Sequence, residues 1–349
     1  MTLQSDRPAL TKALLKPYQG ADLSSLTELQ EQYISFGLST NARGLDAIMK
    51  LEHFGISINN TNVLDVGCAY GGFSIEARRR GAKSVYGVDI NSDLISLAKA
   101  NLSDETEEFK KGCHFLTCDM TSDKALMELP QNYFDIIIVN DVFEHVYDTC
   151  RLMYILNALA NPKCVLYFMI PNGLHFVDWV EKEPHHHWYG QSILEPDLWQ
   201  EKGHRIYYRR WDYFEALFKH YGFGYIQFLN PQVKASKQKL TEDILVKFKK
   251  AETSLKEKFK DTSEEQFTRE VLTALEKYNT ELLRDLEEMN ADKLHFKYLI
   301  DFWGGIAQKS TEKTYYDERL KLMTKQYGDL ANSKLGRLQL AFWKFMGSL

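Results

Sequence analysis

The residues best suited to chemistry in this chain are acids and histidines standing where apolar runs end. Asn140-Asp141-Val142-Phe143-Glu144-His145-Val146 closes such a run. Histidine titrates near neutrality, which suits His145 to taking a proton from an acceptor; bonding its own loop or helix is the bland alternative. Three consecutive histidines, His185, His186 and His187, lie just before Trp188 and Tyr189, and in an extended backbone His185 and His187 point the same way. His204 follows in Gly203-His204-Arg205. The histidine triplet looks like part of a substrate pocket, with Trp188 and Tyr189 suited to a sugar or aromatic face, or else belongs to an idle surface loop.

A second group bears on binding. Val63-Leu64-Asp65-Val66-Gly67-Cys68-Ala69-Tyr70-Gly71-Gly72-Phe73 reads as a short strand, a glycine-rich turn and the opening of a helix. Such a turn lets backbone come close to a ligand, and the helix start behind it offers free N–H groups. Ser84-Val85-Tyr86-Gly87-Val88-Asp89-Ile90 is a second strand ending in an acid, where a doubly wound α/β fold hydrogen-bonds a ribose diol. Asp65, two residues before the first glycine, would repel a pyrophosphate and would suit an ammonium group.

Asp65, Gly67, Ala69 and Gly71 resemble the acid-x-Gly-x-Gly-x-Gly motif of class I S-adenosylmethionine (SAM) methyltransferases, with Ala69 in place of the middle glycine. The resemblance implies a seven-stranded Rossmann-like sheet with helices on both faces. It implies a loop (Asp65, Gly67, Cys68, Ala69, Gly71) around the amino-acid end of SAM, and Asp89 with Ile90 at the ribose. Asp119 then takes the adenine amino group, Met120 lies along the ring, and Asn140 borders the pocket. The product would be S-adenosylhomocysteine. His145, His185, His187 and His204 become the candidate catalytic bases. Asp141, Glu144, His145 and His204 also resemble the metal site of small-RNA 2′-O-methyltransferases, where a divalent ion acidifies a sugar hydroxyl. That family has glutamate at the place of Asp141, which counts against a metal. A looser likeness, from Pro171-Asn172 to Gly222-Phe223, is to methyltransferases of sugar and polysaccharide biosynthesis.

Positioning these residues requires alternating strands and helices. The spacing predicts strands at 62–66, 84–89, 114–118, 134–140, 165–170 and 225–229, with helices at about 72–80, 92–102, 148–160 and 211–221. The nearly continuous apolar run of the fourth is that of a central parallel strand. A helical cap occupies 1–60, its first 22 residues loosely ordered, with a break at Gly37 and a cap for the next helix among Ser39, Thr40 and Asn41. The core spans 61–234. Residues 235–292 are rich in lysine and glutamate, and Val271, Leu275, Tyr278, Leu282, Leu286 and Met289 form a helical stripe. This insertion is an arm that covers substrate, pairs with a second copy, or is only structural. Residues 293–310 hold the last core strand and 311–349 a helical tail, basic and amphipathic, that packs on the domain or a partner, with a membrane surface as the weaker alternative.

Composition narrows the classes. At 349 residues, 44% hydrophobic and 26% charged, the chain is an ordinary soluble globular protein. The formal net charge of −5 argues against a nucleic-acid partner. No apolar run is long enough to span a bilayer, and the first residues lack the apolar segment of a secretory signal. Cys68, Cys113, Cys118, Cys150 and Cys164 form no CxxC pair and read as reduced, mostly buried thiols. The expectation is a cytoplasmic methyltransferase acting on an oxygen of a sugar, glycan or other small hydroxylated molecule. The alternatives are metal-dependent RNA 2′-O-methylation and a SAM-binding assembly subunit without catalysis.

Overall fold

The computed structural model describes residues 7–18, 26–174, 206–229, 233–258 and 265–309. Its strands are β1 (Asn62–Val66), β2 (Ser84–Asp89), β3 (Cys113–Thr117), β4 (Phe134–Asn140), β5 (Ala160–Pro171), β6 (Tyr225–Phe228) and β7 (Phe302–Gln308). They form one sheet in the order β3-β2-β1-β4-β5-β7-β6, with β7 antiparallel to both neighbours. Leu64, Val66, Ile137, Val139, Leu166 and Phe168 bury one face of the central strands, and Val63, Ile136, Ile138 and Tyr167 the other. Both faces are covered, as the unbroken apolar run of β4 requires. Because the chain turns from β3 back to β4 across β1, the carboxyl ends of β1 and β4 border a topological switch point, where ligands enter such sheets.

Helices α1 (Pro8–Leu15), α2 (Glu28–Leu38) and α3 (Thr40–His53) precede the sheet. Thr27 and Gln30 form a reciprocal capping box at the start of α2. Two expectations change here. Residues 8–15 are helical, tied down by contacts from far along the chain, and Gly37 does not break α2. A Cβ at Gly37 would lie 2.6 Å from Leu14 Cδ1, so the glycine is the seat of α1 rather than a stop. The break falls at Ser39, whose hydroxyl donates to the Ser35 carbonyl and does not cap α3.

The crossover helices are α4 (Gly72–Arg79), α5 (Ser92–Ser103), α6 (Glu107–Lys110), α7 (Lys124–Glu128) and α8 (Thr149–Leu159). Strand β5 begins at Ala160, earlier than its apolar run, because Ala160 pairs with Phe134 and Asn161 donates to the Asp135 carboxylate at 2.6 Å. Beyond β5 come α9 (Trp211–His220) and, between β6 and β7, α10 (Lys237–Lys258), α11 (Glu265–Glu288) and α12 (Ala291–Tyr298). The segment 293–310 is thus divided: it holds most of α12 as well as the strand, and Tyr298 ends a helix.

The stripe of α11 is its buried face. Val271, Leu275, Tyr278, Leu282 and Leu286 pack with Ile244, Phe248 and Leu255 of α10, and with Leu174 and Tyr207 of the body. Glu281 accepts from Arg210 and from Lys297 (2.6 Å), and Asp285 pairs with Lys297 and accepts from the Tyr298 hydroxyl at 2.7 Å. The tail 311–349 lies outside the described residues. Among those that are described, all five cysteines are free, four of them buried and Cys150 exposed, and no helix is long and apolar enough to cross a membrane.

Candidate active site

Four polar residues stand along the carboxyl edge of the sheet: Asp65 in β1, Asp89 closing β2, Asp119 just past β3 and Asn140 closing β4. The loop after β1 is shaped by three left-handed residues at alternate positions, Gly67 (φ 68°), Ala69 (φ 46°) and Gly71 (φ 73°). Gly67 and Gly71 take this conformation freely; Ala69 carries its cost. The amides of Gly67 and Cys68 both donate to the Val88 carbonyl (2.8 and 3.0 Å), fastening the loop to β2. A Cβ at Gly67 would come 2.5 Å from Val142 Cγ2, so the loop also abuts the β4 exit.

Asp89 holds this loop as well as lining it. Its Oδ2 accepts from the Ala69 amide at 3.1 Å and its Oδ1 from the Asn91 amide at 2.9 Å. Beside it Ile90 is 71% exposed, an apolar side chain left open at the sheet edge. Asp119 folds back on its own loop, Oδ1 accepting from the Thr121 amide (2.8 Å) and hydroxyl (2.7 Å). Met120 belongs to the main core, and Cys68 is buried.

Asp65 is buried, and the Ser74 hydroxyl donates to its Oδ2 at 2.7 Å. Burial raises its carboxyl to about 7; Ser74 works against that shift and the charge of Asp89 adds to it. A buried acid that resists ionisation alone is a place for a cation. That chemistry, with an acid at the β2 tip and the apolar side chain of Ile90 next to it, fits the amino group, ribose and base of SAM.

On the other side of the switch point, Asp141 has φ 53°, its amide donates to the Met169 carbonyl, and Oδ2 accepts from Asn140 at 2.8 Å. Residues 143–145 form a short 3₁₀ turn. The His145 side chain is 42% exposed, with Nε2 3.8 Å from Glu144 Oε1. Glu144 is buried, its carboxyl pushed well up by burial and then by Asp141, and its Oε2 has no hydrogen-bond partner among the described residues. The Glu144 carbonyl accepts from the Tyr207 amide at 2.6 Å. Arg209 donates to the carbonyls of Val146 (3.1 Å) and Tyr147, holding the turn against the chain entering α9. Asp141, Glu144 and His145 share this exit, and among the described residues no three acid, histidine or cysteine side chains are grouped to hold a metal ion. His185, His187 and His204 lie outside the described residues.

Two residues inside the quoted motifs make long-range contacts that the motifs do not reveal. Asn172 is buried after β5: its Nδ2 donates to the carbonyls of Lys297 (3.1 Å) and Ile300 (2.9 Å), and Oδ1 accepts from Leu174 at 3.0 Å. It joins the β5 exit to the α12–β7 corner. The Pro171-Asn172 pair was its only signal. Tyr70, within the glycine loop, packs under Leu10 and Leu14 of α1.

Sheet order, left-handed loop and acid tips define a class I α/β methyltransferase fold. Residues 31–227, more than half of the chain, match the family described as a methyltransferase domain, and the chain belongs to that family. A ubiquinone biosynthesis O-methyltransferase of Coxiella burnetii is 31% identical over 117 residues, covering 34% of this chain and 46% of that protein. The chain thus spans about half the length of the curated relatives it matches. Similar solved structures include an S-adenosylmethionine dependent methyltransferase from Mesorhizobium loti (14% identical, TM-score 0.43, covering 74% of this chain and 95% of that one). A phosphoethanolamine N-methyltransferase 2 of Haemonchus contortus, in complex with S-adenosyl-L-methionine, is 16% identical with TM-score 0.40, covering 76% and 52%.

Proposed function

We propose that this chain is a SAM-dependent methyltransferase acting on an oxygen of a sugar, glycan or other small hydroxylated molecule, in the cytoplasm. What supports the reading is that Asp65, Asp89, Asp119 and Asn140 all stand at the carboxyl ends of neighbouring strands, with Asp89 bonded to the left-handed loop Gly67–Gly71, in a member of the methyltransferase-domain family.

When bound, SAM supplies a methyl group on a positively charged sulfur, which leaves as a neutral thioether once the acceptor oxygen takes the methyl. Asp65 ionises against its ammonium group, and the backbone of Gly67, Cys68, Ala69 and Gly71 wraps the amino-acid end. Asp89 accepts from the ribose hydroxyls with the lone pairs left after Ala69 and Asn91. Ile90 lies beside Asp89 at the ribose, Asp119 takes the adenine amino group, and Met120 lies along the ring. His145 holds the acceptor hydroxyl and removes its proton on a ring nitrogen, with Glu144 next to it.

Incubating the full chain with methyl-labelled SAM, a panel of sugars and small phenols, and an RNA oligonucleotide tests this. The reading expects label in a small hydroxylated acceptor, unaffected by a chelator. Label in the RNA alone, lost on chelation, overturns the acceptor class. Tight cofactor uptake with no transfer to any acceptor favours the non-catalytic subunit.

A further inference from the structure

A buried relay connects the amino-terminal helix to the cofactor loop. Arg7, immediately ahead of α1, is itself buried; its Nη2 pairs with Glu105 at 2.6 Å and its Nη1 donates to the Asn101 carbonyl at 3.4 Å. The side chain of Asn101, fully buried on α5, donates through Nδ2 to the Tyr70 carbonyl at 3.0 Å and reaches Asn41 of α3 at 2.9 Å. The first turn of α1 is held by Asp104, both of whose oxygens lie 3.2 Å from the Ala9 amide. Leu10 and Leu14 then cover Tyr70, whose hydroxyl donates to the Tyr33 carbonyl of α2 at 3.4 Å. Tyr70 stands directly between Ala69 and Gly71. The loop is thereby gripped from both sides, by Asp89 at the Ala69 amide and by Asn101 at the next residue's carbonyl.

This is more machinery than an eight-residue helix needs to stay folded. A positive guanidinium is buried and matched to Glu105, which also pairs with Arg79 of α4 at 2.7 Å. Of the Arg7–Glu105 pair only the guanidinium is buried, Glu105 being partly exposed, so it is the buried cation that depends on its partner. Their arrangement makes sense if α1 docks in one register only, the one that seats Leu10 and Leu14 on the loop.

We propose that α1 is a clasp on the cofactor loop, with Arg7 and Asn101 as positioning residues: docking of α1 holds Tyr70, and through it Ala69 and Gly71, in the conformation that receives SAM. The inference rests on the cofactor reading above. Linkage then requires reciprocity: whatever helix docking adds to cofactor affinity, the cofactor adds to helix docking.

The test is made on the full chain with S-adenosylhomocysteine as probe. Amide hydrogen exchange over residues 8–15 is measured with and without saturating probe, and affinity is measured by calorimetry for the native chain and for Arg7→Gln. The clasp predicts slower exchange in 8–15 on binding and affinity lower by about tenfold in Arg7→Gln, a coupling of ordinary size. Exchange in the native chain needs no variant, so a misfolded Arg7→Gln protein leaves the test standing. Probe uptake without any change of exchange in 8–15 overturns the clasp and leaves the cofactor reading intact. Unchanged affinity in a folded Arg7→Gln protein does the same. A native chain that takes up no probe overturns both.

Discussion

The Asp89 carboxylate accepts from the Ala69 amide at 3.1 Å, so the acid that closes β2 also fixes the middle of the glycine-rich loop. In the proposed site this one side chain would serve both the ribose end and the amino-acid end of the pocket. Asp89→Ala removes both, and we expect SAM affinity to fall by about 1.5–3 kcal/mol, the range for a hydrogen bond to a charged group. The melting temperature should fall too, because the loop loses an anchor. Calorimetry and thermal denaturation measure the two; unchanged affinity would reject the ribose role.

Ala69 occupies a position whose φ of 46° favours glycine. Relief of roughly 1–2 kcal/mol of left-handed strain is offset by roughly 0.4–1 kcal/mol of added freedom in the unfolded chain. Ala69→Gly should therefore stabilise the protein by about 0.5–1 kcal/mol, read from denaturant unfolding, and a β-branched valine there should destabilise it. A destabilised glycine variant would mean that the methyl group packs favourably enough to outweigh its strain.

Asp65 sets a pH dependence. Its folded pKa, raised to about 7 by burial, lies above the ordinary 3.8, so the folded state holds the proton more tightly. Its contribution to stability is full below the unfolded pKa and is lost as pH rises through about 7. Cofactor binding has the opposite sign. An ammonium group needs the ionised carboxylate, so affinity should rise by up to about tenfold per pH unit below 7 and level off above it. Asp65→Asn should flatten the profile; a native profile already flat would separate Asp65 from the ammonium group.

For His145, half-exposed at the β4 exit, the account predicts a kinetic effect without a binding one. His145→Ala should slow methyl transfer by on the order of 100-fold while SAM affinity stays nearly native. Equal loss of both would make the residue a brace for the 3₁₀ turn.

The parts of this architecture written in local chemistry were readable from the chain. Strands β1, β2 and β4 end where their apolar runs end, and the Asp65–Gly71 spacing announces the loop. What the residue order hides is contact between distant segments. Arg7 and Ala9 look unremarkable until Asp104, Glu105 and Asn101 come beside them, so α1 reads as a loose end. Gly37 reads as a breaker because its neighbour Leu14 is far away in the chain. The start of β5 at Ala160 is masked by Asn161 and Pro162, whose polarity and missing N–H argue against a strand. Asn172 joins two corners through the carbonyls of Lys297 and Ile300, partners that a linear pattern cannot supply.

In the proposed function SAM is received at the four strand tips and the glycine-rich loop. Calorimetric titration of the full chain with S-adenosylhomocysteine at pH 8, where Asp65 is ionised, tests it most directly. The account predicts one equivalent bound per chain, with the affinity weakened in Asp89→Ala; a folded native chain that binds none would contradict it.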